Sequence, residues 1–261
     1  MEKELFAPIE KMYRPDAREM VLSRAFEGNG SSAPAKKISV IIPAHNEEAY
    51  LGHTLEALRC QSHPAYEIIV VTNGCTDRTA EIASGRCDQL ITLSQRGLGA
   101  ARNRGARRAR GELLVFLDAD TLLEPDALEI IARTFNHGAA AGTLKGRPDS
   151  DRLPYRLIYF LKNFIHGALL HHGSSGVILC WKKQFARLGG FDERLEVREN
   201  SDLINRLERF GAYQYIGGTA ATTSMRRYER RGWWHISWLW TKLWLESLFT
   251  DLRHRRYEIV R

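Results

Sequence analysis

Leu113-Leu114-Val115-Phe116-Leu117-Asp118-Ala119-Asp120 decides the fold: five apolar residues in a row, then two acids two positions apart. A strand with one wet face alternates, whereas an unbroken apolar run of this length fits a strand covered on both faces of a parallel sheet. Upstream, Leu98–Arg110 reads as a helix and Gln89–Leu93 as a strand. Before them come a helix from Asp77 to Ser84, the strand Glu67-Ile68-Ile69-Val70-Val71 and a helix from Glu47 to Cys60. The series begins with the strand Ile38-Ser39-Val40-Ile41-Ile42, which Pro43 is expected to end. Strand and helix thus alternate with short loops, which predicts an α/β fold with a mostly parallel sheet flanked by helices. Ligands of such sheets sit beyond the carboxyl ends of the strands. Four loops converge there: Pro43–Glu47, Thr72–Asp77, Ser94–Gly99 and Asp118–Asp120.

Downstream the pattern is less regular. A helix follows Pro125, then a strand near Ala139–Leu144, a helix over Tyr155–Leu170 and a strand near Gly176–Cys180. A helix from Glu199 to Phe210 and strands near Tyr213–Ile216 and Ala220–Ser224 complete the domain. The expected organisation is an N-terminal extension (1–36), a domain over 37–228 in two halves (37–124 and 125–228), and a Trp-rich C-terminal helix with a basic tail (229–261).

The net charge of +7 is mostly arginine and favours partners that carry phosphate or an anionic membrane face. No helix-turn-helix, zinc-finger spacing or aromatic RNA-binding signature accompanies it, so nucleic acid is not expected as a partner. Cys60, Cys75, Cys87 and Cys180 form no zinc-ligand spacing and read as thiols of a reducing compartment. The chain opens Met-Glu-Lys-Glu without an apolar core segment, and no run of about 18 uncharged apolar residues occurs. A cytoplasmic protein is expected, resting at the inner face of the cell membrane if the C-terminal helix meets lipid. His166, His171 and His172 lack a fitting carboxylate and read as a packed helix end rather than a metal cluster.

Asp118 and Asp120 at the end of a buried strand offer hard oxygen ligands. In an extended segment they point the same way. Such a pair suits Mg²⁺ or Mn²⁺, which takes one or two carboxylates and leaves its other positions to phosphate and water. A solvated turn with two capping acids is the competing reading, and the position on the carboxyl edge of the sheet weighs against it.

Several segments together resemble the family 2 glycosyltransferases, which have the GT-A fold. Val40-Ile41-Ile42-Pro43-Ala44-His45-Asn46-Glu47-Glu48 resembles that family's opening strand, and Glu67–Val71 with Gly74–Thr79 its second strand and turn. Gly99–Gly105 with Gly111-Glu112 resembles the approach to its Asp-x-Asp, and Gly189-Gly190-Phe191-Asp192-Glu193 the loop before its catalytic base. The resemblance implies inverting transfer of a sugar from a nucleoside diphosphate, UDP rather than GDP, to a hydroxyl of a glycan, lipid or small molecule. It makes 37–124 the nucleotide-binding half and 125–228 the acceptor half. It places Pro43, His45, Asn46 and Glu47 against the nucleoside, Asn73 near the base, and Arg102 near the nucleotide. Asp118 then faces the ribose and the metal, and Asp120 binds the metal.

Two positions depart from the family pattern. Thr72-Asn73 stands where paired aspartates are usual, and Glu199-Asn200 where the pair is Glu-Asp and its Asp serves as base. Asp202 and Glu199 are the candidate replacements, with Asp202 put first as the shorter acid one step into the helix. The acceptor pocket is expected from the second half, with Trp181. Arg226-Arg227 and Arg230-Arg231 could close over the diphosphate as a flap. From Trp233 to Leu252 a helix would confine His235, Lys242, Glu246 and Arg253 to one stripe and present apolar side chains elsewhere. That surface is either packed on protein or laid in a membrane interface, through 233–256. Two rivals remain: a nucleotidyltransferase, which wants a Gly-rich, Arg-bearing first loop unlike Pro43–Asn46, and a non-catalytic sugar-nucleotide-binding or regulatory protein.

Overall fold

In the computed structural model, which describes residues 37–168, 172–232, 238 and 242, strand β1 (Ile38–Ala44) lies at the heart of the sheet. It pairs in parallel with β2 (Tyr66–Asn73) on one side and β4 (Leu113–Leu117) on the other, while β3 (Gln89–Leu93) pairs in parallel with β2. Every residue of β1 and β4 is buried, as their unbroken apolar sequences require. Val40, Ile42, Val70 and Val115 face one core with helices α1 (Leu51–Arg59) and α2 (Thr79–Ala83). Ile41, Ile69, Val71 and Phe116 face the other, with α3 (Leu98–Arg108). Helix α3 sits directly on the strands at Gly105, where a β-carbon would lie 2.5 Å from Ile41 Cγ2.

Beyond β4 the sheet turns mixed. β7 (Val177–Trp181) is antiparallel to β4 and to β6 (Ala139–Pro148); β8 (Ala212–Thr223) is parallel to β6, and β5 (Thr121–Leu123) is antiparallel to β8. The spatial order is β3-β2-β1-β4-β7-β6-β8-β5. Further α-helices among the described residues are α4 (Ala127–Thr134), α5 (Leu153–Gly167), α6 (Lys182–Arg187), α7 (Glu199–Leu207) and α8 (Arg226–Arg231).

Four sequence expectations change. Pro43 does not end β1: it stays in register with Val71, and the pairing with β4 stops at Ile41, so its missing N–H is not needed on that side. The two strands expected around Gly217-Gly218 are one strand, whose register against β6 jumps from Ile216 to Ala220. Asp118–Asp120 is not extended: Thr121 N–H donates to Asp118 O across a turn (3.1 Å). Trp181 pairs with Leu113, at the opposite end of β4 from Asp118, and its indole N–H donates to Ala139 O (3.0 Å), so it does not line an acceptor pocket there. The Trp-rich C-terminal helix lies outside the described residues except at Trp238 and Lys242.

Glu67 ties the far edge of the sheet. It accepts from Ser39 Oγ (2.6 Å) and from the backbone N–H and Nε of Arg110 (2.5 and 2.9 Å). Burial alone would raise its pKa, but these donors outweigh it and hold the carboxyl below its usual range. Gly111 N and Gln89 Nε2 donate to it as well (3.3 and 3.2 Å), and removing an acceptor that serves five donors should destabilise by about 2–3 kcal/mol. Glu67→Ala is therefore expected to lower the denaturation midpoint, with stability in the intact protein lost as pH falls through the depressed value.

Candidate functional site

At the carboxyl ends of β1, β2 and β4 the loops meet as expected. His45 Nδ1 lies 2.7 Å from Asn73 O, so the ring donates there. Asn46 takes a left-handed conformation (φ 54°), which asparagine tolerates better than most residues. Its side chain joins the β1 loop to the β2 loop, accepting from Thr76 N (2.8 Å) and donating to Thr76 Oγ1 (3.1 Å). Asn73 is buried, donating to Ala44 O (2.9 Å) and accepting from Gly97 N (3.2 Å). Its amide thus braces the loops, and a base contact from it would need these bonds to open.

Two arginines organise the acids. Arg102, on α3, is buried and reaches Asp118 Oδ1 (2.9 Å), Glu199 Oε1 (3.1 Å) and Asn200 Oδ1 (2.7 Å). Asn200 passes the contact on to Ser174 Oγ (3.0 Å). The amide that replaces an acid here gives Arg102 a third acceptor without adding charge. The loop before α7 is locked to α3: Asn103 accepts from Phe191 N (2.8 Å) and donates to Phe191 O (3.0 Å). Gly190 (φ 79°) is needed there, because a β-carbon would lie within 2.4 Å of Asn103 Oδ1.

The second arginine, Arg226, comes from α8. Its guanidinium grips both oxygens of Glu47 (2.7 and 2.6 Å), lies 3.0 Å from Asp120 Oδ2, and stacks over Tyr50 at 4.3 Å. Burial opposes its charge, but Glu47 and Asp120 outweigh that and hold it protonated. Burial raises the carboxyls of Glu47 and Asp120, each pushed further by its acidic neighbour and opposed by Arg226. Arg102 and Arg226 each leave Nε buried with no hydrogen-bond partner, a cost that oxygens of an anionic ligand can relieve.

The structure therefore brings together Glu47, Arg102, Asp118, Asp120, Glu199 and Arg226. It does not bring in Asp202, whose Oδ2 accepts from Nε and Nη2 of Arg206 one turn along α7 (2.9 and 2.7 Å). Sequence reasoning found the acids but left Arg226 as one of four flap arginines; the signal available was its place just after β8. His166 and His172 pack around Tyr213, but His172, beyond the helix end, also contacts Glu208, a carboxylate the sequence reading did not supply; His171 lies outside the described residues. Among the described residues, no three His, Cys, Asp or Glu side chains converge on a metal position. The donor set nonetheless suits Mn²⁺ or Mg²⁺, because two carboxylates suffice when phosphate completes the shell. Arg226 supplies the positive charge beside Asp120 in this structure.

Asp149 secures the base of α8, accepting from Met225 N (2.9 Å), and burial pushes its carboxyl up to about 6. Since the folded value exceeds the unfolded one, the native state gains most at low pH, and stability declines as pH rises from about 4 to 6. Asp149→Asn is expected to flatten that decline in denaturant titrations at pH 4, 5, 6 and 7.

The family model described as glycosyl transferase family 2 matches residues 39–186. The glycosyltransferase AglE of Haloferax volcanii is 41% identical over 91 residues, 32% of this chain and 30% of that protein. Matches to the first curated relatives span about a third of their length: 30%, 35% and 39%. Among solved structures, the mannosyltransferase PcManGT of Pyrobaculum calidifontis, in complex with GDP-Man and Mn²⁺, superposes with TM-score 0.60 at 18% identity. That superposition covers 85% of this chain and 68% of that one. TarS of S. aureus, in complex with UDP-GlcNAc, gives TM-score 0.57 at 22% identity over 73% of this chain and 59% of that one. A parallel β3-β2-β1-β4 half with its acids at the carboxyl edge, a family match over more than half of the chain and these shared folds agree: this chain is a GT-A-fold member of glycosyltransferase family 2.

Proposed function

We propose that the protein moves a sugar from a nucleoside diphosphate sugar, UDP-linked rather than GDP-linked, to an acceptor hydroxyl with inversion. One observation carries this reading: Arg102, buried, and Arg226, largely buried, each join a pair of carboxylates at the carboxyl ends of the central strands. Asp118 and Asp120 would hold Mn²⁺ or Mg²⁺, which offsets charge on the departing diphosphate. Pro43, His45, Asn46, Glu47 and Asn73 would border the nucleoside, and Arg102 the nucleotide. As the acceptor oxygen bonds to the anomeric carbon, the bond from that carbon to the diphosphate oxygen breaks and its electron pair leaves with the diphosphate. The acceptor's proton passes to a carboxylate. Glu199 is better placed for this than Asp202, because Arg102 joins it to Asp118 and engages only Oε1. A cell-envelope glycan or glycolipid acceptor, and contact with the inner membrane face through 233–256, belong to the same reading. Among the described residues, no helix is long and apolar enough to cross a membrane.

The test is release of nucleoside diphosphate from UDP-, GDP- and dTDP-sugars with Mn²⁺ or EDTA, alongside thermal shifts with each donor. Release from a UDP-sugar that EDTA abolishes is expected; thermal shifts with no release under any condition would favour a non-catalytic binding protein. Arg226→Ala should raise the donor's Michaelis constant about tenfold and change kcat less, since an arginine fork suits phosphate oxygens. An unchanged Michaelis constant removes Arg226 from the donor site.

A further inference from the structure

Helix α5 is apolar on two opposite sides. Tyr155 and Tyr159 pack inward against Tyr228 of α8 and Met225 just before it. On the outer side Leu153, Leu157, Phe160, Leu161 and Phe164 are 55 to 76% exposed. At the helical repeat these five fall within an arc of about 100°. A ridge of large apolar side chains in water needs a partner.

The surroundings of the ridge say which one. Helix α5 contains no acidic residue, and the exposed Arg152 and Arg156 border it. A smooth apolar ridge fringed by arginines, on a helix without an acidic residue, matches a lipid interface over anionic headgroups.

We propose that the outer face of α5 docks on an anionic phospholipid bilayer. This shares its partner with the membrane contact read from 233–256, but it stands on α5 alone and does not depend on glycosyl transfer. Arg226 of α8 touches Glu47 and Asp120, so docking through α5 sets the acidic pocket close to the lipid surface.

Flotation of the full chain with phosphatidylcholine vesicles, with and without phosphatidylglycerol, tests the proposal. The wild-type chain is expected to float with the anionic vesicles and much less with neutral ones. Leu157→Glu with Phe160→Glu should lower partitioning about 100-fold, by removing two inserted apolar groups and adding two repelled charges. The melting temperature should hold, since both side chains are exposed. Leu157→Ser with Phe164→Ser repeats the test without added charge, should the first variant fold poorly. Flotation of both variants like wild type, or no flotation of wild type, overturns the proposal. So does a wild-type dimer in sedimentation that the variants split, which makes the ridge a self-interface.

Discussion

Asp120→Ala is expected to abolish turnover, with release of nucleoside diphosphate in Mn²⁺ falling by about 10³-fold or more, on the scale of removing a charge that stabilises the transition state. The residue sits where a loss should be chemical rather than structural. Its backbone holds the end of β8, Ser224 N–H donating to Asp120 O (3.2 Å), and alanine keeps that bond. Its carboxyl is largely buried and pushed toward its neutral form by burial and by Asp118, with Arg226 opposing, so its removal should cost the fold little. Arg226 keeps both bonds to Glu47. The melting temperature of the ligand-free variant should therefore stay near that of wild type. The shift produced by Mn²⁺ with donor, about 2.7 kcal/mol at a hundredfold excess over the dissociation constant, should disappear. Activity within tenfold of wild type, from a variant that melts normally, would falsify the metal-holding role of Asp120.

The half of the fold that builds this site was legible because its signals are local. Each of β1 to β4 is a short run of residues whose pattern reports cover on its faces, and β3 and β4 fall at their expected boundaries. Short strands and helices that exist through distant partners gave no such signal. β5 is three residues held by β8, a hundred positions away, and Gly217-Gly218 read as a break because glycine marks both turns and bulges. The acids of the site were found one by one from their spacing and from the family resemblance. Their wiring was not, because Arg102–Glu199 and Arg226–Glu47 span 97 and 179 residues, and any of the chain's many arginines suits a carboxylate. The match to the family model ends at 186, before both Glu199 and Arg226, so the pairing there rests on the geometry of this chain.

That geometry separates the two candidate bases by experiment. Glu199→Gln is expected to cut kcat by about 10²–10⁴-fold, the range a positioned general base contributes, with little change in the donor's Michaelis constant. Asp202→Asn should leave kcat within a few-fold of wild type, because its carboxylate is held by Arg206 along the same helix and has no link to Asp118. Glutamine keeps the size of Glu199 and an oxygen for Arg102, so Arg102 retains Asp118, Asn200 and an acceptor at 199. What glutamine cannot do is take a proton. The pH profile separates this chemical role from mere positioning of Arg102. The acidic limb of kcat in the wild type should vanish in the residual activity of Glu199→Gln, whereas a positioning defect would scale the whole profile down. The opposite result, a collapse in Asp202→Asn and a working Glu199→Gln, would return the base to Asp202 and require α7 to turn toward the acceptor when the donor binds.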